Sequence, residues 1–368
     1  MRVVLVFSSV AAAGRLVAGL PAAGRGLYAV ALAGAGHCLL AVPGGWVPDS
    51  RDAAELARLA RDMPFTIVDT AALADHAQPA LLLQGERPID AGHLRSVLAG
   101  EVPAGAGMIA APPRDWRQLP RLAPHEAAAM LDRTGAAIVA ATAKPGDGIV
   151  SRLINRPISQ AMSRLLLRFP AVRPAHATVA AAVLAAAMIV ALVCGGVPGL
   201  IAGAVFYQSA SIVDGVDGEI ARATFRSSAA GAMADSLVDA VTNIGFLAGI
   251  VINLWIRGDT WPASAGAGGL ASVTLGLFLI GRRARQSGGA FTFDGVKNRF
   301  KARRSRFFQI LIWMTMRDFF ALAWLVVILA GGARGGIVLF SAGAAVWLLV
   351  VLFSLSRNRL DLVQTSCI

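Results

Sequence analysis

The chain has 368 residues, of which 56% are hydrophobic and only 15% are charged. Soluble domains carry about 25% charged residues, so this composition indicates that part of the chain lies in lipid. The formal net charge of +12 comes from arginines clustered beside apolar segments. That pattern favours anionic lipid headgroups over nucleic acid, and we expect no nucleic-acid partner. The scattered cysteines Cys38, Cys194 and Cys367 lack metal or disulfide spacing.

Residues 1–145 are predicted to form a soluble α/β domain with a mostly parallel sheet, because short apolar runs alternate with helix-like stretches. The predicted strands are Val3–Phe7, Cys38–Val42, Phe65–Val68, Ala80–Leu83, Met108–Ala111 and Ala137–Ala141. The predicted helices between them include Ala53–Arg61, Gly92–Leu98 and His125–Asp132. The first run is too short for the apolar core of a signal peptide, so we expect the N-terminus to stay in the cytoplasm.

Residues 146–173 form a turn-rich linker followed by a basic stretch in which arginines alternate with large aliphatic residues. This pattern favours a juxtamembrane helix on the headgroups, although a solvated helix between domains is the alternative. Residues 174–360 then predict an all-α membrane domain of six helices, since about 20 apolar residues span a bilayer. The six predicted spans are 175–194, 198–221, 232–255, 265–282, 307–330 and 335–355.

Arginine-rich loops follow the second and fourth spans, and another basic cluster follows the sixth. The loop after the third span carries only Arg257 and Asp259, whose charges cancel. The positive-inside rule therefore predicts that both termini and the N-terminal domain lie in the cytoplasm. We expect an integral protein of a bacterial-type inner membrane, with its site open to the cytoplasm.

Four aspartates stand at the end of the second predicted span and the start of the third. Asp214 and Asp217 are three residues apart, and Asp235 and Asp239 are four apart, so each pair shares one face of its helix. Acidic residues at membrane helices are costly and therefore indicate function. If the two helices pack together, four carboxylates converge, and divalent cations that prefer oxygen ligands would relieve their repulsion.

This spacing predicts a site for Mg²⁺ or Mn²⁺, with two ions able to hold a pyrophosphate while phosphorus changes partner. Gly218, Ala221 and Gly231 leave room for the close approach of a ligand, and Arg222 is placed to meet a phosphate. Pairing of the acids with nearby arginines is the structural alternative. Four acids at this spacing, together with the glycines, favour the metal site.

The eight positions resemble the signature of the CDP-alcohol phosphotransferases, Asp214-x2-Asp217-Gly218-x2-Ala221-Arg222-x8-Gly231-x3-Asp235-x3-Asp239. The resemblance covers about 150–360 and implies a six-helix, often dimeric membrane domain that releases CMP. It implies that the four aspartates bind metal and that Asp239 is also the general base. It further implies that Gly218, Ala221, Arg222 and Gly231 border the CDP moiety of the donor.

One element departs from the family pattern. The family commonly carries Pro-Asn-x-x-Thr before its first span, whereas this chain has Pro174, with Ala175 at the Asn position, and Thr178. The resemblance still implies that Thr178 contacts the nucleotide. Further along, Arg317 lies in an apolar segment and needs a partner, for which Asp318 or a substrate phosphate is the candidate. The basic loop 282–306 is expected to orient the chain or contact headgroups.

The N-terminal domain resembles a nucleotidyltransferase of the sugar-phosphate cytidylyltransferase type, but its chemistry is incomplete. The loop after the first strand has a single glycine, and no lysine precedes Lys144. Where the metal aspartate would follow a strand, the chain has Gln84-Gly85-Glu86, and Glu86 is the candidate substitute. We therefore expect a degenerate domain. Two alternatives stay open: a bifunctional enzyme that also makes its CDP-donor, and a non-enzymatic ion-binding transporter or scaffold.

Overall fold

The protein is described here by a computed structural model that covers residues 2–76, 79–120, 122–286 and 316–365. The chain divides into two compact units. The first comprises Met1–Ala143, Gln160–Val172 and Glu219–Arg226. The second comprises Lys144–Ser159, Arg173–Gly218 and Ser227–Ile368.

A five-stranded sheet forms the centre of the first unit, in the order β5-β4-β1-β6-β7. The first four of these strands are mutually parallel, and β7 is antiparallel to β6. The strands are β1 (Arg2–Val6), β4 (His37–Val42), β5 (Phe65–Asp69), β6 (Ala80–Gln84) and β7 (Met108–Ala111), and β2 (Leu16–Val17) pairs with β3 (Leu20–Pro21) in a separate ribbon. The helices are α1 (Val10–Gly14), α2 (Ala22–Leu32), α3 (Ser50–Ala60), α4 (Ala91–Leu98) and α5 (Pro124–Ala140).

Both faces of this sheet are buried. Side chains alternate between the faces of a strand, so Val3 and Leu5 pack in one apolar cluster while Val4 and Val6 pack in another. Burial on both faces is the usual arrangement of parallel sheets and explains why the strands read as continuous apolar runs. The predicted mostly parallel α/β sheet is confirmed.

One predicted strand is wrong. Ala137–Ala141 was expected to be the last strand, but Ala137 to Ala140 continue helix α5 and Ala141 is its C-cap. The run is rich in alanine, the residue with the highest helix propensity, and Val139 is buried on the same helix face as Ala127 and Leu131. A short apolar run has no periodicity that distinguishes a strand from the end of a longer helix.

Long apolar helices make up most of the second unit, and five of them are long and apolar enough to cross a membrane. These spans are Pro174–Cys194, Gly196–Ala223, Ala229–Ile256, Thr260–Arg283 and Ala333–Phe353. The helices that contain them are α7 (Pro174–Cys194), α8 (Gly196–Ala223), α9 (Ala229–Ile256), α10 (Thr260–Gln286) and α12 (Ala333–Thr365). The last residues of α8, from Glu219 onward, belong to the first unit.

The count of six spans is not reproduced among the described residues. The predicted span 307–330 lies partly outside them, and its described part is the shorter helix α11 (Arg317–Leu329). Most of the basic loop 282–306 also lies outside the described residues. A helical membrane region with five candidate spans is therefore what this structure supports.

An aromatic and aliphatic core joins these helices. Tyr207 of α8 stacks on Phe246 of α9 with ring centroids 4.0 Å apart, and Phe246 meets the edge of Trp324 of α11. Many other large apolar side chains, such as Val190 and Leu339, are exposed on the outside of the helices. Exposed apolar surface of this extent suits helices whose solvent is lipid.

A buried amide ties three helix segments together. The side chain of Asn253 in α9 donates to the carbonyl oxygens of Leu192 and Gly196, at 2.6 Å and 2.9 Å. These carbonyls lie at the end of α7 and the start of α8, where the chain reverses direction. The amide thus gives a donor to the carbonyl of Leu192, which lies in the last turn of α7, where carbonyls have no partner within their own helix.

The basic stretch before the spans is helical. A π-helical turn at Ser151–Asn155 precedes α6 (Arg156–Leu166). Leu153, Leu165 and Phe169 are exposed in and just after this stretch. Its location on the membrane surface stays a prediction that these exposed apolar side chains support.

Candidate active site

The acidic cluster of the second unit is built by two helices. Asp214 lies in α8, and Asp235 and Asp239 lie one turn apart on the same face of α9. Ser228 begins α9 by accepting the backbone N–H of Gly231 at 3.0 Å, which sets the start of the helix and hence its rotation. One carboxylate oxygen from each aspartate lies within 4.8 Å of the other two.

This geometry fits a divalent metal. All three side chains are partly buried, and Oδ1 of Asp235 is buried without a hydrogen-bond partner among the described residues. A buried carboxylate oxygen without a donor is costly, and a cation is the natural partner for it. The donor set consists only of carboxylate oxygens, which hard cations such as Mg²⁺ and Mn²⁺ prefer.

Arg317 provides positive charge at the same cluster. Its Nη1 lies 2.9 Å from Oδ1 of Asp214 and also contacts Oδ1 of Asp239. The neighbouring Asp318, which the sequence offered as a partner, instead accepts the backbone N–H of Ser151 at 2.6 Å. Consecutive residues on a helix point in different directions, so Arg317 and Asp318, the first two residues of α11, do not face each other. Arg317 instead contacts the aspartates of α8 and α9.

The fourth aspartate of the motif has a separate environment. Asp217 is buried, and its carboxylate accepts a hydrogen bond of 2.8 Å from Oγ1 of Thr178 in α7. The structure thus brings three of the four predicted metal ligands together. The fourth, Asp217, is hydrogen-bonded to Thr178, the residue that the family resemblance places at the nucleotide.

A polar cavity of about 160 Å³ adjoins the cluster. Its wall includes groups from the segment before the first span that the sequence had not singled out. Asp147 and Arg156 form an ion pair there with an N–O distance of 2.8 Å. Burial opposes ionisation of Asp147, but the Arg156 guanidinium outweighs it and holds the pKa of that carboxyl below its usual range. The polar residues of the wall are Asp147, Ser151, Asn155, Arg156, Ser159, Ser211, Asp214, Asp239, Arg317 and Asp318.

No simple sequence signal identified these wall residues, because Asp147 stands in a turn-rich segment that reads as a linker. Asn155 is buried and connects to span two: its amide nitrogen lies 3.3 Å from Oγ of Ser211, and Gln208 donates to its oxygen at 2.9 Å. A cavity lined by hydroxyl, amide, guanidinium and carboxylate groups suits a polar ligand.

The remaining predicted contacts are placed as follows. Gly218 lies half-buried in α8, and Gly231 is exposed in the first turn of α9. Ala221 and Arg222 belong to the last turn of α8, within the first unit, where Nε of Arg222 donates to the carbonyl oxygen of Thr142 at 3.1 Å. Contact of these four residues with a nucleotide stays a prediction.

Comparison with known proteins agrees with this site. The family model described as CDP-alcohol phosphatidyltransferase matches residues 171–355, about half of the chain. The match contains all four aspartates, Thr178 and Arg317. No curated protein matches the sequence. With five apolar helices of spanning length, the chain belongs to the CDP-alcohol phosphatidyltransferase family and is an integral-membrane transferase.

Proposed function

We propose that the protein transfers a substituted phosphate from a CDP-activated donor, CDP-diacylglycerol or another CDP-alcohol, to an acceptor alcohol, in phospholipid or polar-lipid biosynthesis. The observation that carries this proposal is the convergence of the carboxylates of Asp214, Asp235 and Asp239 within 4.8 Å. Family membership supplies the reaction class. The polar cavity beside the cluster offers room for the reacting ends of the two substrates.

In the proposed reaction the acceptor hydroxyl oxygen forms a bond to the phosphorus that carries the donor's alcohol. The bond from that phosphorus to the oxygen bridging to the cytidine phosphate breaks, and CMP leaves with that oxygen. Asp239 takes the proton of the acceptor hydroxyl, since a positioned carboxylate activates a weak nucleophile. Bound Mg²⁺ or Mn²⁺ would neutralise charge on the pyrophosphate and make CMP a better leaving group.

We further propose how the metal ligands divide their work. Asp214, Asp235 and Asp239 hold one cation, and Asp217 contributes to a second, with Thr178 fixing the orientation of its carboxylate. Gly218, Ala221, Arg222 and Gly231 border the CDP moiety. Arg317, which contacts two of the carboxylates, lies close enough to the cluster to meet a substrate phosphate once cations take over those carboxylates.

The N-terminal part is proposed to have no nucleotidyltransferase activity. The support is Glu86, which is buried and accepts the backbone N–H of Ser8 at 2.5 Å in the loop after β1. The carboxylate of Glu86, which follows β6, thus occupies a backbone donor of this loop that a triphosphate would need, and its charge would repel the phosphates. Pyrophosphate release from CTP by the full chain would contradict this and favour the bifunctional alternative.

The location of the protein is also a proposal. The arginine-rich loops favour cytoplasmic termini and a site that opens to the cytoplasm of a bacterial-type cell. A homodimer is proposed from the family resemblance alone. Cysteine labelling from either side of the membrane, at residues introduced near Arg257 and near Arg226, would test the orientation.

The decisive experiment is CMP release by the purified full chain in detergent, with Mg²⁺ or Mn²⁺, over a panel of CDP-donors and alcohol acceptors. We expect metal-dependent release in the wild type and its loss in Asp239→Asn. The matched control is Asp259→Asn, which removes a carboxylate of the same unit that pairs with the exposed Arg334. Release that survives chelation, or that Asp239→Asn leaves unchanged, would contradict the proposal. A transporter or scaffold would release no CMP with any pair of substrates.

A further inference from the structure

A second cavity lies within the first unit and has a volume of about 450 Å³. This is in the range of small-molecule sites, which are about 300–1,000 Å³. Every residue that lines it belongs to the first unit. Its walls come mainly from α2, the segment that follows β6, α5, and the segment Glu219–Arg226, with Val17 of β2 and Ala91 of α4 completing them.

Three arginines line this cavity, Arg25, Arg87 and Arg222, and no aspartate or glutamate is among the described residues that line it. Arg87 is half-buried and its Nε donates to Oε1 of Gln84 at 2.8 Å, a neutral partner. The charged side chains that line the cavity are therefore all cationic. Positive charge on low-dielectric walls raises the local concentration of anions.

Arg25 is held by three backbone carbonyls. Its guanidinium donates to the carbonyl oxygens of Val17, Ala18 and Ala223, at 2.6, 2.8 and 2.7 Å, and lies over the ring of Phe225. These carbonyls satisfy donors but bring no negative charge. Burial lowers the pKa of Arg25 to about 10. A buried cation without a counter-charge is costly, and an anion in the cavity would offset that cost.

The rest of the wall is apolar. Aliphatic side chains from α2, α5 and the segment after β6 form most of it, including Leu32, Ile89, Leu131 and Ile138. Tyr28 and Phe225 close one side as a stacked pair with ring centroids 3.9 Å apart. Such a wall favours a ligand that brings apolar surface of its own, because burial of that surface drives binding.

We propose that this cavity binds an amphipathic anion, a single phosphate or carboxylate group on an aliphatic body. Arg87 and Arg25 hold the anionic group, and the aliphatic body packs along α2 and α5. The chemistry is shared by a lipid phosphate and by a soluble alkyl phosphate. The cavity shares no residue with the aspartate cluster of the second unit, and Arg222 is its one residue that is also proposed to border the CDP moiety of the donor. Its ligand is therefore additional to the substrates of the transferase.

Isothermal titration of the full chain in a non-ionic detergent with hexyl phosphate tests the proposal, and dihexanoyl phosphatidic acid is the lipid arm. Hexanol and inorganic phosphate are the single-feature controls. We expect hexyl phosphate to bind more tightly than either control. Tighter binding of the phosphatidic acid supports a lipid source, and tighter binding of hexyl phosphate supports a soluble one.

Two variants locate the binding. Arg87→Gln removes the positive charge while keeping a shorter polar side chain, and it should weaken hexyl phosphate binding about tenfold or more, with little effect on hexanol. Ala91→Phe fills the cavity from the start of α4 and should weaken both. The proposal is overturned if hexyl phosphate fails to bind, if neither variant weakens it, or if inorganic phosphate binds equally well. Thermal melting of each variant verifies that it is folded.

Discussion

Nη1 of Arg317 lies 2.9 Å from Oδ1 of Asp214 on α8 and also contacts Asp239 on α9. One guanidinium thus bridges carboxylates of two helices. The same two carboxylates are proposed ligands of a divalent cation, so arginine and metal compete for the same negative charge. This competition between Arg317 and the cation should affect the thermal stability of the protein as well as its activity.

Replacing Arg317 by glutamine should increase the stabilisation that metal provides. In EDTA the variant should lose about 1–3 kcal/mol, less than the roughly 3–5 kcal/mol for a fully buried pair, because the carboxylates are partly exposed. Added Mg²⁺ should then raise the melting temperature of the variant by more than that of the wild type. Thermal unfolding with and without Mg²⁺ measures both effects.

The control for this experiment is Arg334→Gln. Arg334 also pairs with an aspartate, but its side chain is 62% exposed, so little stability should depend on the pair. An equal effect of Mg²⁺ on wild type and Arg317→Gln would mean that arginine and metal do not share these carboxylates.

Asp235→Asn should weaken metal binding strongly. Oδ1 of Asp235 is a buried oxygen with no hydrogen-bond donor in the described part of the chain, and the amide removes one of the three negative charges. Loss of a group that only orients a metal ligand weakens metal binding about 10–100-fold. Loss of a ligand itself should weaken it more, so the Mg²⁺ concentration for half-maximal CMP release should rise by a larger factor than this. Asp259→Asn should leave this concentration unchanged. A metal dependence of Asp235→Asn equal to that of the wild type would remove this residue from the proposed ligand set.

Thr178→Val tests the link between the first and second spans. Valine has the shape of threonine but lacks the hydroxyl that donates to Asp217 at 2.8 Å. We expect CMP release to fall about 10–100-fold, as for other groups that orient a metal ligand. Thr178→Ser keeps the donor and should restore most of the activity. If valine and serine behave alike, the hydroxyl has no orienting role.

The Asp147–Arg156 pair predicts a pH-dependent contribution to stability. The pKa of Asp147 is depressed in the folded protein, so its stabilising effect is present above the usual carboxyl pKa of about 3.9 and is lost as the pH falls through the folded value. Wild type and Asp147→Asn should therefore differ most in melting temperature near neutral pH and converge below about pH 4.

The matched variant is Asp132→Asn, whose partner is Arg15. The pKa of Asp132 is also lowered, chiefly by its hydrogen bond from Arg15, but both side chains are largely exposed, so its effect should be much smaller. A pH-independent difference between wild type and Asp147→Asn would mean that the loss of packing, not the charge, causes the change.

The sequence predicted those strands and helices that are defined by a hydrophobic period or by the length of an apolar run. Five strands and five spanning helices lie close to their predicted residues because each is a bounded apolar run. Ala137–Ala141 was assigned to a strand because five apolar residues carry no helical period by themselves. The helical period becomes apparent only when the earlier residues of α5, such as the buried Ala127 and Leu131, are considered together with Val139.

The aspartates were predictable because their spacing and their cost at a membrane helix are local properties. The partners of Arg317 were not, since Asp214 and Asp239 are distant in sequence and only the packing of α8, α9 and α11 brings them together. The same holds for Asp147, whose segment reads as a linker. The cavity of the first unit depends on side chains from several separate segments, so no short motif could indicate it.

The amide of Asn253 has a consequence for how the chain is made. The carbonyl of Leu192, in the last turn of α7, is synthesised well before α9, and in lipid it would lack this side-chain donor until that helix arrives. The α7–α8 hairpin is thus incomplete on its own during insertion. A chain that ends after α8 should be retained by membrane quality control and degraded, whereas one that extends through α9 should accumulate.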